Sequence, residues 1–237
     1  MFFFDPMYFV FMIPPLLFMF YAQWKVNSTY NKYSKVANSR RITGKDAANI
    51  LLRANGLSNV RVESVNQKLA DHYDPTKKVL RLSPDVGNVP SVAAVGIVAH
   101  EVGHAVQDKT GYAFMRLRSA IVPAANIGSK FGYICVIIGF LIYMFSQSEF
   151  GMTVVLFGIL LFSLAVLFSL ITLPVEFNAS TRARAMLRSS GLLAAKENDA
   201  AGAVLSAAAL TYVAATLQAV AQLLYFIIMF LGMRGRN

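Results

Sequence analysis

Charge is scarce in this chain. Only 14% of its 237 residues are Asp, Glu, Lys or Arg, whereas 56% are hydrophobic. Soluble domains carry about 25% charged residues. Too few charges remain to coat a soluble globule of this size, and the apolar content excludes intrinsic disorder and a collagen-like fibre. Cysteine is almost missing as well. Cys135 stands alone, which excludes an internal disulfide framework and a Cys-rich metal site. Acidic residues number 12 against 22 Lys and Arg, a net charge of +10. In so apolar a chain that excess reads as the basic loops of a membrane protein, and no nucleic-acid partner is expected.

Long apolar runs dominate what is present. A helix needs about 20 apolar residues to cross a bilayer. Residues 1–22 form the first candidate. They lack the basic start and small-residue cleavage site of a signal peptide, so they read as a retained anchor, kinked at Pro14-Pro15. Residues 130–174 hold two runs, 131–145 and 151–173, separated by a short polar turn. They predict a helical hairpin with both outer ends on one side. The last candidate, 204–233, is softer, and Gln218 and Gln222 share one helix face that should look into the bundle.

Lys and Arg cluster in residues 23–129 and again at Arg182, Arg184, Arg188 and Lys196, while the hairpin tip carries only Glu149. The positive-inside rule then puts both basic segments in the cytoplasm. Arg234 and Arg236 dissent, so whether the last segment fully crosses stays open.

Residues 23–129 are long enough to bury a modest core. Thr43 should cap a helix that Gly56 stops, and the alternation in residues 60–65 predicts a strand. Asp74-Pro75 marks a turn, residues 79–82 a second strand, and residues 84–90 a loop. Ser91 opens an Ala-rich helix to about Gln107.

That helix contains His100-Glu101-Val102-Gly103-His104. Histidines at i and i+4 leave the same helix face, so both imidazoles can reach one ion. The glutamate on the flank can take a proton from water at that ion. Neutral imidazoles suit zinc. A random match to this pattern is rare, and two of only three histidines sit in it. A catalytic zinc needs a third protein ligand. Ala105 to Thr110 lack the extension a metzincin requires. His72 is one candidate and a glutamate on a second helix is another. Glu149 falls on the wrong side of the membrane, Asp108 is too near His104 on the same helix, and Glu197 and Asp199 look like a solvated turn. Glu176 remains, just after Pro174, where a new helix can begin; small residues at Ala179, Ser180 and Ala183 would let it pack closely. Its ordinary alternative is a carboxylate placed to favour a helix N-terminus.

At this point the residues carry a family likeness. Asp71-His72-Tyr73-Asp74-Pro75, Val79 to Pro84, the H-E-x-x-H helix, Val122 to Asn126 and Leu173 to Phe177 resemble the YugP-type neutral zinc metallopeptidases, bacterial membrane proteins of the gluzincin kind. The chain is more distantly similar to HtpX-type and CAAX prenyl proteases. The likeness implies one zinc per chain held by His100, His104 and Glu176, with Glu101 as general base. Related proteases often place an Asp shortly after the third ligand to orient a zinc histidine. Here Asn178 and Ser180 stand in that region, and an amide at Asn178 can still accept from an imidazole.

The expected fold is mainly α with a small β-sheet: multi-pass membrane helices plus a cytoplasmic zincin-like α+β domain. The expected segments are an anchor (1–22), the zincin-like domain (23–129), the hairpin (130–174), a cytoplasmic helix with the third ligand (175–203) and a C-terminal helix (204–233). The expected activity is hydrolysis of peptide bonds in membrane or membrane-proximal proteins at the cytoplasmic face of the cell membrane. Besides that substrate and the bilayer, a regulatory membrane partner or self-association fits such a chain. His72, Tyr73 and Arg182 are candidate oxyanion donors, though the first two also suit a turn and the third a carboxylate or headgroup. Val79, Leu80, Arg81 and Leu82 are a candidate edge strand for substrate or a plain core strand. Two readings compete. An inactive, zinc-stabilised scaffold would close the coordination shell. A transporter would place charged groups in its spans, and no charged residue falls in 131–145 or 151–173.

Overall fold

The computed structural model describes residues 6–67 and 70–235. Residues 1–5, with Asp5, and Arg236 lie outside them. Among the described residues 78% are helical, and there is one three-stranded sheet. The helices are α1 (Pro6–Tyr33), α2 (Gly44–Ala54), α3 (Pro84–Gly87), α4 (Val92–Lys109), α5 (Ala113–Ser146), α6 (Glu149–Ser190) and α7 (Ala195–Arg234). The strands are β1 (Arg61–Ser64), β2 (His72–Asp74) and β3 (Val79–Leu82). Among the described residues, α1, α5, α6 and α7 are long and apolar enough to cross a membrane. The chain divides into two compact units, and each of these four helices contributes to both.

The first unit takes residues 1–21, 117–173 and 212–237. Its core holds Met12, Val136, Tyr143, Val155, Tyr225 and Phe226. Glycines set the α5–α6 contact. A β-carbon on Gly132, Gly139 or Gly158 would lie 2.6 Å from a backbone nitrogen of the other helix. Backbones this close pack by van der Waals contact along the whole shared face. The turn is tight, with Gln147 at φ 51. Gln222 is buried, and Gln218 donates to the Met12 sulfur at 3.4 Å.

The second unit takes residues 22–116 and 174–211. The sheet order is β1-β3-β2, with β1 parallel and β2 antiparallel to β3. Leu80 and Leu82 pack against α4, whose Val95, Val98, Ala99, Val102 and Ala105 are wholly buried. Ser91 caps α4 by accepting from the Ala94 amide at 3.1 Å. Thr43 and Asp46 close a reciprocal capping box on α2, which ends before Gly56 at φ 65.

Four expectations need correction. α6 runs without a break through Pro174. A proline removes one helical bond, but Val175, Ala183 and Leu187 on the following turns are buried in the second unit's core, which offsets that loss. Residues 84–87 form a short helix rather than loop, started by Pro84 with Gly87 N–H bonded to Ser83 O. Glu197 is not in a solvated turn: it sits in the first turn of α7 and accepts from the Ala194 and Ser39 amides. β3 is the middle strand, bonded on both sides, so Val79 to Leu82 have no free edge for a substrate strand.

Candidate metal centre

α4 carries His100 and His104 one turn apart, their ring centroids 4.7 Å from each other. α6 brings Glu176 opposite them. The Glu176 Oε2 atom lies 3.2 Å from His100 Nε2 and 3.5 Å from His104 Nε2. One donor atom from each of the three residues lies within 4.8 Å of the others. Glu176 is only 2% exposed. A carboxylate this deeply buried requires a positive partner.

The helices meet closely because Gly103, between the two histidines, has no side chain. A β-carbon there would sit 2.7 Å from the Ala179 carbonyl oxygen on α6. Small residues at Ala179 and Ala183 complete the contact, both wholly buried.

Hydrogen bonds fix how the imidazoles face. His104 Nδ1 lies 2.9 Å from Gln107 Oε1. An amide oxygen only accepts, so Nδ1 donates, and a neutral His104 then has its lone pair on Nε2, facing the centre. His100 Nδ1 lies 3.2 Å from Ser180 Oγ, which can accept its proton. In that arrangement two imidazole lone pairs and a carboxylate oxygen converge. Three electron-rich atoms facing one another are stabilised by a cation between them, and two imidazoles with a carboxylate suit zinc. The residues present therefore fit the metal.

Glu101 flanks this centre. Its Oε2 accepts from the Tyr73 amide at 3.0 Å, which ties β2 to α4. Burial pushes the Glu101 pKa up against the opposing charges of His100 and His104. A more basic carboxylate is a better proton acceptor.

The structure distributes the remaining candidates differently. His72 is exposed on β2; its Nδ1 donates to Ala70 O at 2.7 Å, and Arg81 donates to its Nε2 at 3.2 Å. The Tyr73 hydroxyl donates to Asp108 at 2.6 Å, and Lys78 pairs with the same carboxylate. Arg182 Nε donates to Asn178 Oδ1 at 2.8 Å. All three candidate oxyanion donors thus have partners of their own. Asn178 Oδ1 accepts from Gln107, not from an imidazole, at 3.0 Å. Arg81 pairs with Asp74 and Glu63 across the sheet. Sequence reasoning passed over Gln107. Its signal was an amide three residues beyond a ligating-type histidine on one helix, where the two side chains are neighbours.

The chain belongs to the family described as "Putative neutral zinc metallopeptidase", which it matches over residues 8–231. It is similar to the "Putative membrane protease YugP" of Bacillus subtilis (strain 168), with 45% identity over 232 residues, 98% of this chain and 100% of that protein. No solved structure matches it.

Proposed function

We propose that this protein is a zinc-dependent endopeptidase of the gluzincin type, embedded in the cell membrane and hydrolysing peptide bonds of membrane or membrane-proximal proteins. The observation that carries the reading is the convergence of His100 Nε2, His104 Nε2 and Glu176 Oε2 beside the Glu101 carboxylate. The family and the similar protein's name support the same chemistry.

His100, His104 and Glu176 would hold one zinc ion. When bound, zinc supplies a Lewis acid that polarises a scissile carbonyl and makes water more acidic. Glu101 takes the proton of the attacking water and returns it to the leaving amine. The Tyr73 amide keeps one Glu101 oxygen directed, so the carboxylate does not rotate away between those steps. β2 is an edge strand beside this carboxylate, and its free side is where an extended peptide would lie.

The four long helices support a multi-pass chain. The Lys and Arg of residues 23–129 and 175–203 support a zincin-like catalytic part on the cytoplasmic side. The test is cleavage of a reconstituted membrane-protein substrate by wild type and by Glu101→Gln, with metal content measured beside it. Loss of cleavage with zinc retained supports the reading; equal cleavage by both proteins removes Glu101 as the base.

A further inference from the structure

The zinc reading above leaves open what holds His104 in the one tautomer a metal can use. We infer that Gln107 is the positioning residue of this centre: its side-chain amide orients the His104 lone pair and fastens the ligand helices together next to Glu176. The inference rests on the zinc reading, and its test separates the two.

Gln107 is a polar residue with no exposed surface. Its three side-chain hydrogen bonds all run to the centre or to the helix that carries Glu176. Its Nε2 donates to the Val175 carbonyl at 2.8 Å and to Asn178 Oδ1 at 3.0 Å. A main-chain carbonyl only accepts, so the amide cannot be turned the other way without losing that bond. Asn178 is fixed by the same logic, because Arg182 Nε can only donate to it. The chain Arg182–Asn178–Gln107 therefore leaves the Gln107 oxygen facing His104 Nδ1 at 2.9 Å. The imidazole has to donate there, and in its neutral form the Nε2 lone pair is what remains for an ion.

The second consequence concerns Glu176. Val175 is its chain neighbour, so the bond from Gln107 pins α6 one residue from the carboxylate. One amide thus touches a histidine of α4 and the backbone that carries the carboxylate of α6. An acceptor that orients a metal-bound imidazole is worth about 10–100-fold in metal affinity. The other histidine has Ser180 in the equivalent place, a hydroxyl that can either donate or accept and so imposes no tautomer by itself.

The test is zinc affinity of purified protein by competition with a chromophoric chelator, for wild type, Gln107→Leu and Gln107→Glu, with thermal melting of the zinc-free forms. The Leu variant removes the acceptor and should bind zinc about 10–100-fold more weakly. The Glu variant keeps an oxygen facing Nδ1 but loses both donations to α6, so it should bind more tightly than the Leu variant and less tightly than wild type, and should melt lower. A residue that only filled space would show the reverse order, because an added buried charge disturbs packing more than an apolar isostere. The inference is overturned if the Leu variant binds as tightly as wild type. It is equally overturned if the Glu variant is as weak as the Leu variant. Should the Leu variant fail to fold, the Glu variant decides alone: a loss of less than about 10-fold supports the inference and a larger loss, on the order of a missing acceptor, refutes it. If wild type itself takes up no zinc, the underlying zinc reading falls, an outcome distinct from any difference between variants.

Discussion

Gly103 faces Ala179 with no room for a methyl group between them: a β-carbon on Gly103 would lie 2.7 Å from the Ala179 carbonyl oxygen. This contact sets the distance between the helix bearing both histidines and the helix bearing Glu176. Gly103→Ala should therefore force α4 and α6 apart. Overpacking of this kind costs about 1–3 kcal/mol. The variant should melt at lower temperature and retain less zinc than wild type after dialysis. A variant with unchanged melting and zinc content would show that the helix spacing is not critical.

Glu101→Gln should separate chemistry from metal binding. General-base catalysis contributes about 10²–10⁴-fold, so the cleavage rate should fall by that order. The variant should keep its zinc, because the Glu101 carboxylate bonds to the Tyr73 amide and is not one of the three converging groups. Rate and metal content measured on the same preparation decide it.

Tyr73 makes a further prediction, about stability. Burial first, and then the Asp108 carboxylate, raise its pKa above the ordinary value of 10.0. A proton held more tightly in the folded state stabilises that state fully below the unfolded pKa. The stabilisation is lost as pH rises through the folded pKa. Melting temperature should thus be insensitive to this group below about pH 10 and fall above it. Tyr73→Phe should cost about 1.5–3 kcal/mol at neutral pH, as for a bond to a charged acceptor, and should flatten the alkaline limb. A wild-type alkaline limb that the Phe variant reproduces would contradict the assignment.

The proposed membrane orientation has its own test. In a Cys135→Ala background, cysteine placed at Ser148 in the α5–α6 turn should react with an impermeant thiol reagent added outside intact cells. Cysteine at Ala70, in the proposed cytoplasmic part, should react only after the membrane is opened. Reversed labelling would put the centre on the outer side.

Much of this architecture was legible in the chain, and the parts that were not share a cause. The α4 helix, with His100, Glu101 and His104, follows from local spacing. Glu176 could be singled out because acidic residues are so few. For Gln107 only the spacing to His104 was local; its partners Val175 and Asn178 lie on another helix, so the spacing alone did not mark it out. β2 has only three residues, too short for an alternating pattern, and the central place of β3 depends on pairings between distant segments. At Pro174 the local rule predicted a break, whereas buried Val175 and Ala179 carry the helix onward. Tertiary packing outweighed propensity there.

The most direct measurement is zinc per chain in purified wild type and in His100→Ala, His104→Ala and Glu176→Ala, taken after mild chelation and with folding checked by melting. The account predicts about one zinc for wild type and a small fraction for each variant, since a catalytic zinc needs all three protein ligands. Full zinc retained by a folded Glu176→Ala protein would contradict it.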